Sequence, residues 1–140
     1  MIDNAEKIRR YCEYHDRSEM EVRRKMAQLL VPEGERDNLM QQLKEDQFVD
    51  DERFSESFIR GKINQKRWGR IKIRAELQQH GISADLISRK LAEADEERYF
   101  ENLRYLADKW RQENLDGEWP KLIRHLLTKG YTMDEINKIK

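Results

Sequence analysis

The sequence predicts an all-α protein, on the evidence of its few helix breakers, the spacing of its apolar residues and its cap residues. Only two prolines and six glycines interrupt the 140 residues, and good helix formers such as Glu, Lys, Leu and Ala dominate between them. Apolar residues recur three and four positions apart, which places them on one face of a helix. No segment keeps for long the alternation that is typical of a strand.

Nine helices are predicted, each from apolar residues about one helical turn apart. The predicted ranges are 4–16, 19–30, 33–46, 51–67, 70–80, 84–93, 96–113, 119–129 and 133–140. The pairs that define the buried faces are, in the same order, Ile8 with Cys12, Val22 with Met26, Leu39 with Leu43, Phe54 with Phe58, Ile73 with Leu77, Ile87 with Leu91, Tyr99 with Leu103, Leu122 with Leu126, and Ile136 with Ile139.

Cap residues indicate where several of these helices begin. The segments Ser18–Glu21 and Thr132–Glu135 fit the capping box, in which the two end residues satisfy each other's backbone N–H groups. Ser83 is predicted to cap the sixth helix. Either Asp50 or Asp51 can open the fourth helix, since a carboxylate is favourable beside the positive end of the helix dipole.

The chain repeats itself. The turn Gly81–Ser83 recurs 49 residues later as Gly130–Thr132, with the helical apolar pattern in register on the N-terminal side of both turns. A weaker copy lies 51 residues upstream, where Leu30 takes the place of Gly81 and a different turn is therefore expected. The sequence predicts three tandem three-helix repeats, over residues 1–48, 49–94 and 95–140.

Each predicted repeat has close to 46 residues, a size at which a single hydrophobic core is marginal. The repeats are therefore expected to lean on their neighbours, as the units of repeat proteins do. A row of such units exposes much surface per residue, which agrees with a content of 40% charged residues. We expect an elongated, curved helical rod and a monomer.

No motif in the sequence predicts an enzyme, a metal site or a cofactor. The three histidines show no metal-ligand spacing, and neither a phosphate-binding loop nor a dinucleotide-binding glycine motif occurs. Cys12, the one cysteine, lies at a core-facing position and is predicted to be a buried thiol. A single cysteine and the absence of a long apolar run favour a cytoplasmic location without a membrane-spanning segment.

Charge is unevenly distributed, although 28 basic and 28 acidic residues cancel over the whole chain. Residues 57–75 contain no acidic residue and form a candidate basic patch for a partner or for DNA. Its members are Arg60, Lys62, Lys66, Arg67, Arg70, Lys72 and Arg74. Chance clustering in a protein with this many basic residues is the competing interpretation. Trp68 lies within the patch, and its counterpart Trp119 in the third repeat favours a packing role for both.

Three segments resemble the signature of the RecX family of regulatory proteins. They are Asp50–Arg60, with its acidic pair followed by Arg-Phe, then Trp68–Leu77, with Gly-Arg-Ile-Lys-Ile and Glu-Leu, and finally His80–Ser83. His80 replaces the lysine that is common in the family. The first repeat also resembles the opening repeat of that family, so the resemblance extends over essentially the whole chain.

The resemblance implies a bent rod of three three-helix repeats and a function without catalysis. RecX proteins bind the RecA recombinase filament on DNA and inhibit its growth, ATP hydrolysis and strand exchange, which modulates recombination and DNA repair. Some members also contact DNA directly, so weak direct DNA binding is a possible property of this chain.

Two other classes of function stay open from the residues alone. The first is a nucleic-acid-binding helical module that acts through the Arg60–Arg74 patch without the recombinase. The second is a structural adaptor that binds another protein through its helical rod. Neutral overall charge argues against strong independent binding to DNA.

Overall fold

Nine α-helices make up most of the chain in a computed structural model that describes residues 2–140. They are α1 (Asn4–Tyr14), α2 (Glu19–Gln28), α3 (Glu33–Glu45), α4 (Asp51–Gly61), α5 (Arg70–Gln79), α6 (Ala84–Ala92), α7 (Glu96–Glu113), α8 (Trp119–Thr128) and α9 (Met133–Lys138). A π-helical turn, Lys62–Lys66, continues α4. The described residues contain no strand, and the all-α prediction is confirmed.

The predicted caps are confirmed in detail. Both capping boxes form, at the starts of α2 and α9. Asp50 is the cap of α4, and its carboxylate accepts the N–H groups of Glu52 and Arg53. The neighbouring Asp51 has a different role, because its carboxylate accepts the N–H of Glu19 at the start of α2, 2.8 Å away. Two consecutive aspartates thus cap two different helices.

The turn at Leu30 has the same geometry as the turns at Gly81 and Gly130, so the expectation that it would differ is wrong. All three residues have a positive φ, of 61°, 80° and 101° respectively. In each turn the next N–H donates back to the helix, from Val31 to the Met26 carbonyl in the first. This hydrogen-bond pattern ends a helix through a residue with left-handed backbone angles. Leu30 adopts it although leucine is strained in that conformation.

We expect Leu30→Gly to stabilise the protein. Glycine removes the cost of the left-handed backbone, and since Leu30 is 83% exposed its side chain loses little packing. Greater freedom of the unfolded chain offsets part of this gain, which leaves about 0.5–1 kcal/mol in the free energy of unfolding. Denaturant unfolding measures it. Leu115→Gly, at an exposed leucine without positive φ, is the control and should lose stability instead.

Two hydrophobic clusters form the core. The smaller is formed by α1–α3 and by residues next to these helices, and it reaches from Ile8 to Val49. The larger runs from Phe54 in α4 to Ile136 in α9, so the second triplet of helices (α4–α6) and the third (α7–α9) share one core. The division of the chain at residues 48 and 94 into three units stays a prediction.

The surface area of the molecule is that of an elongated arrangement. The chain exposes 9032 Å², whereas a compact protein of 17.0 kDa exposes about 7,700 Å². The excess follows from placing small helical units in a row, and it leaves most charged side chains in contact with solvent.

Polar side chains join the first triplet (α1–α3) to the second. Arg53 Nε donates to Asp16 Oδ1 at 3.2 Å, and Ser57 Oγ donates to Asp16 Oδ2 at 3.1 Å. His80 Nδ1 lies 3.2 Å from Glu21 Oε1. Two carboxylates of the first triplet, Asp16 and Glu21, therefore face side chains of the second. Glu19 pairs instead with Lys44 within the first triplet.

Backbone contacts join the second triplet to the third. The Gly69 N–H donates to the Lys129 carbonyl at 2.7 Å, and the Ile71 N–H donates to the Gly130 carbonyl at 3.0 Å. The start of α5 therefore lies directly against the turn between α8 and α9. This approach is possible because position 69 has no side chain.

Candidate partner-binding site

The basic patch lies where α4 ends and α5 begins, and the third triplet holds this segment in place. The buried Asn102 side chain in α7 donates to the Ile63 carbonyl of the π-helical turn at 2.8 Å. The Tyr131 hydroxyl donates to the Arg67 carbonyl, also at 2.8 Å. Arg67 has a φ of 54°, which ends the π-helical turn. Long-range hydrogen bonds thus determine the path of the segment.

Lys62 and Lys72 lie over the ring of Trp68, and we call these three residues the Trp68 cluster. The two Nζ atoms are 4.6 and 4.5 Å from the ring centroid. Trp68 itself is partly buried and packs against the larger core cluster, which confirms the packing role predicted for it. Trp119 packs against the same core, as predicted. The Trp68 cluster presents two positive charges on a rigid aromatic support.

Arg67 and Arg70 each cover a tyrosine ring in α7. The Arg67 guanidinium lies 4.0 Å from the centroid of Tyr105, and that of Arg70 lies 4.0 Å from the centroid of Tyr99. Arg70 also pairs with the buried carboxylate of Glu135, at 3.1 Å. Arg70 therefore belongs to an internal network that ties the second triplet to the third.

The remaining three members of the patch lie in different surroundings. Arg74 donates to the Ser88 hydroxyl at 3.1 Å. Lys66 is exposed and forms no ion pair among residues 2–140. Arg60 is exposed and borders an open cleft of 330 Å³ that also contains Glu56 and Glu93. The structure thus brings Lys62 and Lys72 together and places Arg60 at a cleft that also has carboxylates in its lining.

Sequence reasoning missed a lysine that clamps α4 to α6. The Lys90 side chain is only 5% exposed, and its Nζ lies 2.7 Å from both Glu52 and Glu56 and 3.1 Å from Glu93. The hydrogen bonds that Lys90 donates to the Glu52 and Glu56 carboxylates raise the pKa of Lys90. The one available signal was its position directly before Leu91 and one turn after Ile87, on the face predicted to be buried. Its role is structural.

A buried network of tyrosines and a carboxylate supports the base of the site. The Tyr99 hydroxyl donates to Glu135 Oε1 at 3.0 Å and accepts the Arg70 N–H at 2.9 Å. Burial raises the pKa of Tyr99 and of Tyr131, so that both hydroxyls stay protonated and donate. The network orders the start of α5, where the patch lies.

Cys12 and the side chain types that ligate metals lie outside the basic patch. Burial raises the pKa of Cys12 to about 11, and its thiol is a buried side chain as predicted. Among residues 2–140, no three His, Cys, Asp or Glu side chains are positioned to hold a metal ion. Within the same residues, every helix is too short or too polar to cross a bilayer.

The fold and the site define an all-α protein of tandem three-helix repeats with a basic, aromatic surface. A family model described as RecX, second three-helix domain, matches residues 50–91. Proteins named Regulatory protein RecX from Clostridium tetani and Clostridium acetobutylicum are 35% and 30% identical to the chain, over 103 and 131 residues. The chain belongs to the RecX family of regulatory proteins, which confirms the resemblance of its motifs.

Coverage differs between the curated relatives and the solved structures. The two clostridial alignments cover 69% and 88% of this chain but 47% and 60% of those relatives, so the chain spans about half the length of the curated relatives it matches. The crystal structure of RecX from Lactobacillus salivarius has a TM-score of 0.90 over 96% of this chain and 90% of that one. At 24% identity, that likeness concerns the fold.

Proposed function

We propose that this protein binds the filament of the RecA recombinase on DNA and inhibits its growth, ATP hydrolysis and strand exchange, and that it thereby modulates recombination and DNA repair. The observation that carries the proposal is membership of the RecX family, with the family's middle domain matched at residues 50–91. The elongated arrangement of three helical triplets suits a protein that lies along a polymer.

Binding alone is sufficient for such inhibition. A protein that binds one state of a filament more tightly than another shifts the assembly equilibrium by its difference in affinity. Charged side chains on the contact surface accelerate docking and set its register. Lys66 and the Trp68 cluster are our candidates for that surface. Lys66 is an exposed cation, and the half-buried cations Lys62 and Lys72 are held on the Trp68 ring.

DNA-dependent ATP hydrolysis by the recombinase, with this protein titrated from substoichiometric amounts, tests the proposal. Binding to the same single strand without recombinase is followed in parallel at roughly 150 mM salt. Inhibition far below the concentration that coats free DNA supports a filament regulator. Unchanged ATP hydrolysis contradicts it, and tight binding to bare DNA in that case supports the nucleic-acid-binding module instead.

The double variant Lys66→Gln with Lys72→Gln is expected to need about fivefold more protein for half-maximal inhibition, because each surface charge contributes roughly 0.5 kcal/mol to binding. Lys109→Gln with Lys121→Gln removes two exposed lysines elsewhere and is the matched control. Both variants should keep the melting temperature of the wild type. Equal inhibition by the two variants would remove this part of the patch from the contact surface.

A further inference from the structure

The first triplet carries a cationic groove that the sequence did not predict. It is an open groove of 420 Å³ formed by α1, α2 and the turn between them. Its polar and aromatic lining consists of Lys7, Arg10, Tyr11, Tyr14, Arg17 and Lys25. No carboxylate belongs to this lining, although residues 1–50 contain more acidic than basic side chains.

Helical spacing places three of these residues on one face of α1. Lys7, Arg10 and Tyr14 stand at positions i, i+3 and i+7, so they form a row about 10 Å long. An extended polyanion can follow such a row.

Arg17 and Lys25 cover the Tyr11 ring at the centre of the groove. The guanidinium of Arg17 lies 3.9 Å from the ring centroid, and the Lys25 ammonium lies 5.2 Å from it. Arg17 Nε also donates to the Tyr11 carbonyl at 3.0 Å, which anchors the guanidinium. Burial raises the pKa of Tyr11, so that its hydroxyl remains neutral. The groove is thus preformed.

The positive character of the groove follows from where the carboxylates are directed. Two carboxylates contact side chains of the second triplet, Asp16 with Arg53 and Glu21 with His80. A third, Glu19, pairs with Lys44 of α3. Two cations of the groove keep a carboxylate neighbour, Arg10 with Glu6 at 3.3 Å and Arg17 with Glu21 at 4.0 Å. Lys7 and Lys25 form no ion pair among residues 2–140.

Tyr14 stands at one end of the row with its side chain 81% exposed. Its ring contacts that of His15, at 5.2 Å between centroids, and leaves most of its surface in water. An exposed aromatic ring beside a line of cations is the combination by which proteins bind single-stranded nucleic acid, with bases stacked on the ring and phosphates on the cations.

We propose that this groove binds single-stranded nucleic acid, with the backbone along Lys7, Arg10 and Lys25 and a base stacked on Tyr14. Arg17, whose side chain is 13% exposed, holds the Tyr11 ring in place. The proposal goes beyond the proposed function because it requires no recombinase, and it assigns nucleic-acid binding to a surface different from the Arg60–Arg74 patch. An acidic protein segment is the competing ligand, but it would not use the exposed ring.

Fluorescence anisotropy of a labelled single strand of about 15 nucleotides, titrated with the full chain at several salt concentrations, tests the proposal. Tyr14→Ala should weaken binding about tenfold without changing the dependence of affinity on salt, because stacking is not ionic. Lys7→Gln with Lys25→Gln should reduce the slope of log affinity against log salt by about 1.4, since each phosphate contact on a single strand contributes about 0.7.

Two controls localise the binding. Tyr105→Ala removes a tyrosine that is 46% exposed and lies under Arg67, and Lys66→Gln with Lys72→Gln neutralises part of the basic patch. Both should bind the strand as the wild type does. Circular dichroism checks that each variant is folded. Since Tyr14 is exposed, Tyr14→Ala removes little packing and should fold, so it tests the proposal even if the double lysine variant unfolds.

Three outcomes would overturn the proposal. One is that Tyr14→Ala and the groove lysine variant bind the strand as the wild type does, or that the wild type itself shows no measurable binding. Another is loss of binding in the two control variants alone, which would move the site to the basic patch. The last is that a poly-glutamate peptide binds as tightly as the single strand and that Tyr14→Ala does not weaken its binding. That result would favour an acidic protein as the ligand. Since no recombinase is present, each of these leaves the proposed function standing.

Discussion

Gly69→Ala is expected to destabilise the protein by about 3 kcal/mol, at the upper end of the cost of overpacking. A Cβ at position 69 would overlap the backbone carbonyl of Gly130 and the N–H of Tyr131. Neither group can rotate away, because both belong to the backbone of the turn that α5 contacts. The two hydrogen bonds that join the second triplet to the third, from Gly69 and Ile71, would lengthen or break.

Equilibrium unfolding in denaturant measures this loss, and Gly61→Ala is its control. A Cβ at position 61 meets no atom within 4 Å, and this residue has helical dihedral angles. The control should therefore gain about 0.5–1 kcal/mol, the ordinary preference of a helix for alanine over glycine. Equal stability of the two variants would show that the close approach at position 69 does not hold the triplets together.

Glu135→Ala is expected to lower the free energy of unfolding by about 3 kcal/mol, because it leaves an ion-paired arginine, a buried hydroxyl and a half-buried backbone N–H without their acceptor. Glu135 is only 7% exposed. Its carboxylate accepts hydrogen bonds from Arg70, from the Tyr99 hydroxyl and from the Thr132 N–H. Alanine retains none of these interactions. Glu135→Gln keeps two acceptor contacts and should lose less.

The matched control for Glu135 is Glu21→Ala, at the equivalent position of the other capping box. Glu21 closes the box with Ser18 at 3.3 Å, and its side chain is 19% exposed, against 9% for Glu135. It receives no hydrogen bond from a buried tyrosine among residues 2–140, and its charged neighbour Arg17 lies 4.0 Å away. Its replacement should cost about 1 kcal/mol, the usual value of a helix cap. If the two variants lose the same amount of stability in denaturant unfolding, the Tyr99–Arg70 network contributes nothing beyond the cap.

Both predictions concern the junction that carries the candidate partner surface. Arg70 lies in the middle of the basic segment, yet its guanidinium is committed to Glu135 and to the Tyr99 ring. A charge reversal at Arg70 would place a second carboxylate beside a buried one. Tests of partner binding are therefore cleaner at Lys66 and Lys72.

Features that depend on neighbours within one helical turn were predictable from the sequence. The capping boxes at Ser18 and Thr132 were identified from residue types three positions apart. The buried faces were identified in the same way, because the helical period is a local property. The resemblance to the family rests on short motifs around α4 and α5, which are also local.

The ends of the helices were less predictable. The predicted range 51–67 ends as an α-helix at Gly61, because the π-helical turn that follows is held by Asn102, a residue 39 positions away. Leu30 adopts the left-handed conformation of Gly81 and Gly130 although its residue type disfavours it. The packing of the flanking helices outweighs the local preference of leucine at that turn.

The electrostatic surface was the least predictable feature. A count over residues 1–50 indicates a net negative charge, yet the groove of the first triplet is lined by four cations. The spacing of Lys7, Arg10 and Tyr14 was visible in the sequence, whereas the direction of the neighbouring carboxylates was not. Asp16 pairs with Arg53 only because two helical triplets meet at that point.

Local periodicity and capping were thus enough to predict nine helices and a buried cysteine in this chain, and short sequence motifs were enough for the resemblance to its family. The partner of Arg70, the clamp at Lys90 and the cationic groove on α1 depended on contacts 34 to 65 residues apart or on the packing of adjacent helices. Hydrogen bonds of a helix form between residues four apart, so residue order specifies them directly. Contacts between triplets form only after backbone approaches such as that of Gly69 to Gly130 have set how the triplets pack.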